Sequence, residues 1–101
     1  MRMAKFILTK TYLLSYTIFN SNNFDTNELR TDIIHYINKL RGKKIFETTY
    51  FISWDLPYKD VYDEIEYNFK TLLENNKLTD KVDVKLGIFE IRNKNYWIGS
   101  L

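Results

Sequence analysis

The sequence predicts the α+β class: two helices laid on one face of a mainly antiparallel sheet, in a single domain spanning residues 1–101. Two stretches, one near each end of the chain, alternate their side chains with the period of a strand. Two others repeat apolar residues at helical spacing. A length of 101 residues is close to the commonest size for one independent domain and short for two.

From Phe6 to Phe19 the chain is rich in β-branched and aromatic residues. A strand there places Tyr12, Leu14, Tyr16 and Ile18 on one face and Leu13, Ser15, Thr17 and Phe19 on the other. The polar run from Asn20 to Asn23 ends it in a loop. Asp25 and Glu28 stand at capping-box spacing, so the Asp25 carboxylate is expected to accept from the Glu28 amide at the start of a helix. That helix carries Leu29, Ile33, Tyr36, Ile37 and Leu40 on one stripe. Gly42 is expected to close it in a left-handed cap, with Lys39 and Arg41 in the last turn complementing the helix dipole.

Between Gly42 and Pro57 there is room for two short strands joined by a tight hairpin near Glu47 and Thr48. Pro57 suits the first turn of a second helix, where a missing amide donor costs nothing. Val61, Ile65, Phe69, Leu72 and Leu73 line one side of this helix. Asp60, Asp63, Glu64, Lys70 and Glu74 line the other, and Asn75 and Asn76 end it. Alternation returns from Val82 to Ile91, with Val82, Val84, Leu86 and Ile88 on one face. Asn93 to Asn95 then make a turn, and the final residues, Tyr96 to Leu101, form a last short strand. The order βαββαβ plus an extra C-terminal strand is the split βαβ pattern of a ferredoxin-like fold.

Composition narrows the chemistry. No segment approaches the roughly 20 uninterrupted apolar residues of a membrane span. The apolar N-terminal stretch is broken by Lys10 and by hydroxyl residues and shows no small-residue cleavage signal. A soluble, cytoplasmic protein is therefore expected, with no membrane partner. The absence of cysteine excludes disulfides, a thiolate nucleophile and thiolate metal clusters, and a single histidine excludes any two-histidine motif. The net charge of +2 is not the strongly basic footprint of a dedicated nucleic-acid binder, although a local patch is compatible with it.

Several stretches together resemble the SinR-like proteins, relatives of the CRISPR-associated Cas-two and the VapD endoribonuclease families. Tyr12 to Ile18 (YLLSYTI) is similar to that group's first strand, which runs roughly YLVSYDL. Thr48, Thr49 and Tyr50 stand where its central strand begins, and Trp97 to Leu101 match its aromatic, spacer, Gly, Leu ending. The helix after Pro57 and the following DVKLGIF strand fall in the corresponding order, so the resemblance covers the chain from Tyr12 onward.

The resemblance implies a ferredoxin-like protomer that forms a homodimer across its open sheet face, with an acid at the end of the first strand holding a divalent metal for phosphodiester cleavage. Position 17 is the place of that acid, and here it is Thr17. A threonine hydroxyl carries no charge at neutral pH, whereas magnesium prefers carboxylate oxygens. The expectation is accordingly a degenerate nuclease with no catalytic residue, no metal site and no cofactor, magnesium entering only if the protein were an active nuclease. Asp25 and Asp55 are the displaced acids to weigh against this, and each is better explained as a helix N-terminal cap.

Lys39, Arg41, Lys43 and Lys44 cluster around the end of the first helix, and Arg92 with Lys94 extends them if the last turn lies nearby. Dipole complementation accounts for part of that cluster. Arg41, Lys43, Lys44 and Arg92 are the candidate contacts to RNA or DNA phosphates. His35 falls with Thr31 and Asn38, off the apolar stripe, and reads as a surface residue. Aromatic residues make up 17% of the chain. Tyr67 on the polar side of the second helix, and Trp54 and Trp97 near strand ends, are read as interface anchors rather than base-stacking groups. The alternative function is a protein-interaction module, such as an antitoxin, a CRISPR-related subunit or a phage-encoded inhibitor of a host enzyme.

Overall fold

The computed structural model of the chain describes residues 10–91 and 96–101. Its elements are β1 (Lys10–Phe19), α1 (Asn27–Lys39), β2 (Lys43–Phe46), β3 (Thr49–Trp54), α2 (Tyr58–Asn75), β4 (Asp83–Glu90) and β5 (Tyr96–Ser100). The expected start of the first strand at Phe6, and the Asn93–Asn95 turn, lie outside the described residues. The five strands form one sheet in the order β2-β3-β1-β4-β5, with every neighbouring pair antiparallel. β1 and β2 therefore run parallel with β3 between them, and β3 and β4 run parallel with β1 between them. Two split βαβ units are interleaved, an α+β arrangement compatible with a ferredoxin-like fold.

Period two explains why β1 can be the central strand. Tyr12, Leu14 and Tyr16 are almost fully buried, and their cross-strand neighbours Tyr50 and Ile52 on β3 and Leu86 and Ile88 on β4 are buried with them, as is Val84 beside Ile18. Leu29, Ile33 and Ile37 of α1 and Val61, Ile65, Phe69 and Leu73 of α2 complete the same core. Both helices thus cover one face of the sheet. Phe69 meets Tyr16 edge-on at 5.8 Å and Tyr36 edge-on at 6.1 Å, so one ring joins the sheet and both helices. Each such pair contributes about 0.5–1.5 kcal/mol beyond its buried area.

Helix ends depart from the expected caps. The N-cap of α1 is Thr26, and Asp25 accepts from the amide of Asn27 at 3.0 Å rather than from Glu28. The shorter reach closes a turn just before the helix, so the capping box is not formed. α2 has Pro57 itself as N-cap, one residue earlier than expected, because its ψ of 152° is still extended. Asp55 stands two residues outside that cap and does not serve it.

At the C-terminus of α1 the left-handed residue is Arg41, with φ 58°, and not Gly42. The Arg41 amide donates to Asn38 O at 2.9 Å and the Gly42 amide to Ile37 O at 3.0 Å, the two bonds of a Schellman motif. α2 ends identically, with Lys77 at φ 57° donating to Glu74 O and Leu78 donating to Leu73 O. Each helix thus places a cation where glycine is commonest. The positive side chain at the negative end of the dipole offsets part of the left-handed cost. Gly42 is required by space: a Cβ there would stand 2.5 Å from Ile37 Cγ2, on a side chain that is fully buried.

Gly42→Ala should cost about 1–3 kcal/mol through overpacking, whereas Arg41→Gly should stabilise by up to about 1 kcal/mol by relieving the left-handed arginine. Urea denaturation of both variants checks the opposite signs. The Tyr36 hydroxyl gives a second test, because it is buried with no hydrogen-bond partner among the described residues. Burial chiefly, and then Glu64, push its pKa up to about 12, while Asn68 acts weakly the other way with its amide donated to Glu64. The folded state therefore holds this proton more tightly than the unfolded chain, and its contribution to stability disappears as pH rises from about 10 through 12. Tyr36→Phe should be as stable as the wild type or more so at neutral pH, and should show a smaller alkaline decline in urea midpoint.

Candidate nucleic-acid interface

The opposite face of the sheet is left uncovered by both helices. Cross-strand pairing arranges its side chains in rows. Lys43, Phe51, Leu13 and Phe89 form one row across β2, β3, β1 and β4. Phe46, Thr49, Ser15 and Gly87 form the next, where the hydroxyls of Ser15 and Thr49 are 3.2 Å apart. Thr17 then stands beside Lys85, and Phe19 beside Asp83. The surface is therefore an apolar row next to a row of small and hydroxyl side chains.

A local irregularity places Phe46 in this surface. Strict alternation would put Lys43 and Phe46 on opposite faces of β2, because they are an odd number of residues apart. The register shifts between Lys44 and Phe46, so that Lys43 opposes Phe51 and Phe46 opposes Thr49, both on the open face. A bulge at Ile45 is the cause, and bulges re-aim side chains in this way. The two-residue turn at Glu47 and Thr48 is the expected hairpin. Nothing in the composition of residues 43–46 announces the bulge.

Arg41, Lys43 and Lys44 are all exposed and are brought to one margin of the sheet, because β2 is an edge strand and follows directly on the α1 cap. The pleat divides them. Lys43 belongs to the open face, whereas Lys44 opposes the buried Tyr50 on the helix side and pairs with Glu47 at 3.4 Å. That pair is largely solvated, so screening leaves it little weight. Lys39 is exposed on the last turn of α1. Arg92 and Lys94 lie outside the described residues.

Thr17 is exposed at the end of β1, with a lysine as its cross-strand neighbour. A cation opposite the hydroxyl disfavours a divalent metal at that point electrostatically. Asp25 and Asp55 are both exposed, and no group of three or more potential ligands that could hold a metal ion occurs among the described residues. His35 is exposed, Tyr67 projects from the outer surface of α2, and Trp54 is half-buried against the core rather than free at a surface. The side chain of Trp97 lies outside the described ones.

One acid is not signalled by the sequence patterns above. Glu90 continues the buried face of β4 beyond Ile88 and is almost fully buried opposite Tyr12. Burial first, and then Glu90, raise the Tyr12 pKa, and the Tyr12 hydroxyl donates to Leu56 O at 2.8 Å. The even-numbered alternation of β4, carried two residues past Ile88, is the signal that could have found it.

Compared with known proteins, the chain matches no family model, no curated protein and no solved structure.

Proposed function

We propose that the chain is a homodimeric, nucleic-acid-associated protein of the SinR-like and Cas-two-like kind, built on a ferredoxin-like fold and acting as a degenerate nuclease. The observation that carries this reading is a sheet face that neither helix covers, bordered along edge strand β2 by Arg41, Lys43 and Lys44. The face around Leu13, Ser15, Thr17 and Phe19 meets a second copy, and the basic margin contacts phosphates. Binding without cleavage follows from chemistry at position 17, where a hydroxyl next to Lys85 neither gathers a divalent ion nor activates water. The strand order, with β1 and β3 central, supports the ferredoxin-like description.

A second reading is favoured by one feature of the same face. Leu13, Phe51 and Phe89 form an apolar row, which suits a different protein as partner, as in an antitoxin, a CRISPR-related subunit or a phage-encoded inhibitor. The two readings differ in salt dependence.

Binding to duplex DNA or RNA should weaken linearly on a log–log salt plot. Replacing Arg41, Lys43 and Lys44 by Ala should lower the slope by about 0.9 for each phosphate that is no longer neutralised. Anisotropy titrations between low and moderate salt check this. Absence of binding to any nucleic acid at low salt would remove the first reading. For the assembly, sedimentation should give twice the chain mass. Leu13→Asp should halve it with an unchanged circular dichroism spectrum, since Leu13 lies outside the core. A wild type that sediments as a monomer excludes the dimer.

A further inference from the structure

Exposed large apolar side chains are the residues of this fold whose position the core does not explain. The aromatic ones among them differ in electrostatic setting. Phe19 stands beside Asp83. Tyr67 is carried by α2 and has both signs within one turn, Asp63 and Glu64 before it and Lys70 after it. Phe24 already lies under the Lys81 ammonium at 5.5 Å. Phe46 and Phe51 differ from all of these, because they share the open face with Lys43 and sit on the basic margin.

We propose that the β2–β3 hairpin takes single-stranded nucleic acid, with unpaired bases stacking on Phe46 and Phe51 and the backbone held by Lys43. Three observations support this. Phe46 is 70% exposed and Phe51 39%, so their rings are open to a flat ligand. The bulge at Ile45 turns Phe46 onto the face that Lys43 and Phe51 occupy, an arrangement that regular β2 would not produce. Charge complementarity selects the occupant: Lys43 shares the open face with both rings, exposed Arg41 immediately precedes the hairpin, and the acid of its turn, Glu47, has Lys44 at 3.4 Å.

The choice of single strand over duplex follows from the aromatics. Base faces are inside the stack of a duplex and meet a protein ring only when unpaired, and stacking of this kind tolerates any sequence. Next to the rings, the Thr49 hydroxyl, cross-strand neighbour of Phe46, offers a donor and an acceptor to a base edge. Lys43 and Phe46 lie on edge strand β2, at the margin of the face that a second copy would cover, and Phe51 stands one strand further in, beside Leu13.

This inference rests on the nucleic-acid reading above, and its test separates the two. The full chain is titrated by fluorescence anisotropy with a labelled twelve-nucleotide oligo-uridylate, the oligo-thymidylate of equal length and a twelve-base-pair duplex. Both single strands should bind more tightly than the duplex. Phe46→Ala should weaken single-strand binding roughly fivefold to a hundredfold and leave duplex binding unchanged, whereas Phe46→Trp should retain it. Lys43→Ala should lower the salt slope by about 0.7 on single strands. Phe46 is outside the core, so Phe46→Ala keeps its fold, as thermal unfolding will show. Wild-type binding that Phe46→Ala leaves intact overturns the stacking proposal alone. A change in sedimenting mass in Phe46→Ala, with affinity unaltered, also overturns it and assigns the hairpin to a second copy. No binding to strand or duplex overturns the underlying reading as well.

Discussion

Phe69 is the point at which the three parts of this protein are joined. Its ring lies edge-on to Tyr16 of the central strand and edge-on to Tyr36 of α1, while its own backbone belongs to α2. Edge-to-face contacts between aromatic rings are directional. They therefore hold the helices in register with the sheet more specifically than aliphatic burial would. Tyr12 stacking with Tyr58 at 6.4 Å repeats the principle at the other end of α2. Much of the high aromatic content of the chain is used on this face.

A consequence is the strong inequality of the two faces of the sheet. Every helix-side position on β1, β3 and β4 from Tyr12 to Ile88 is committed to the core, and Glu90 is buried with it. The opposite side is shaped by what is not demanded of it. Thr, Ser and Gly stand in one row, Phe and Leu in another, and lysines occur at Lys43 and Lys85. Such a surface is not required for folding. Its apolar content exceeds what solvent alone would favour, and this is the reason the proposed reading seats a partner there.

The helix termini show stability yielding to charge. Glycine at positions 41 and 77 would relieve two left-handed backbones, yet arginine and lysine are found. The dipole stabilises each cation locally, and Gly42 is displaced by one residue to let α1 pack against the backbone without a side chain between. On the proposed reading, Arg41 serves the basic margin as well, so relieving its backbone would remove a phosphate ligand.

Period and spacing in the sequence determined most of this architecture: which residues of β1 face inward, the apolar stripes of both helices, the hairpin at Glu47 and Thr48, and the element order. These follow because alternation and helical repetition are local geometric facts that survive whatever the chain packs against. The absence of an acid at position 17 was equally plain. Tertiary structure alone decided the rest. The bulge at Ile45 depends on how β2 meets β3, so the placing of Phe46 beside Lys43 and Phe51 could not be read from residues 43–46. The left-handed position fell on Arg41 because the helix stops with Leu40 as its cap, a one-residue difference in end point that the glycine did not signal. Lys85 became the neighbour of Thr17 through the β1–β4 register, joining residues far apart in the chain. Pairing between distant strands, which local sequence does not encode, is what turned a predicted open face into a surface with a defined arrangement of rings, hydroxyls and charges.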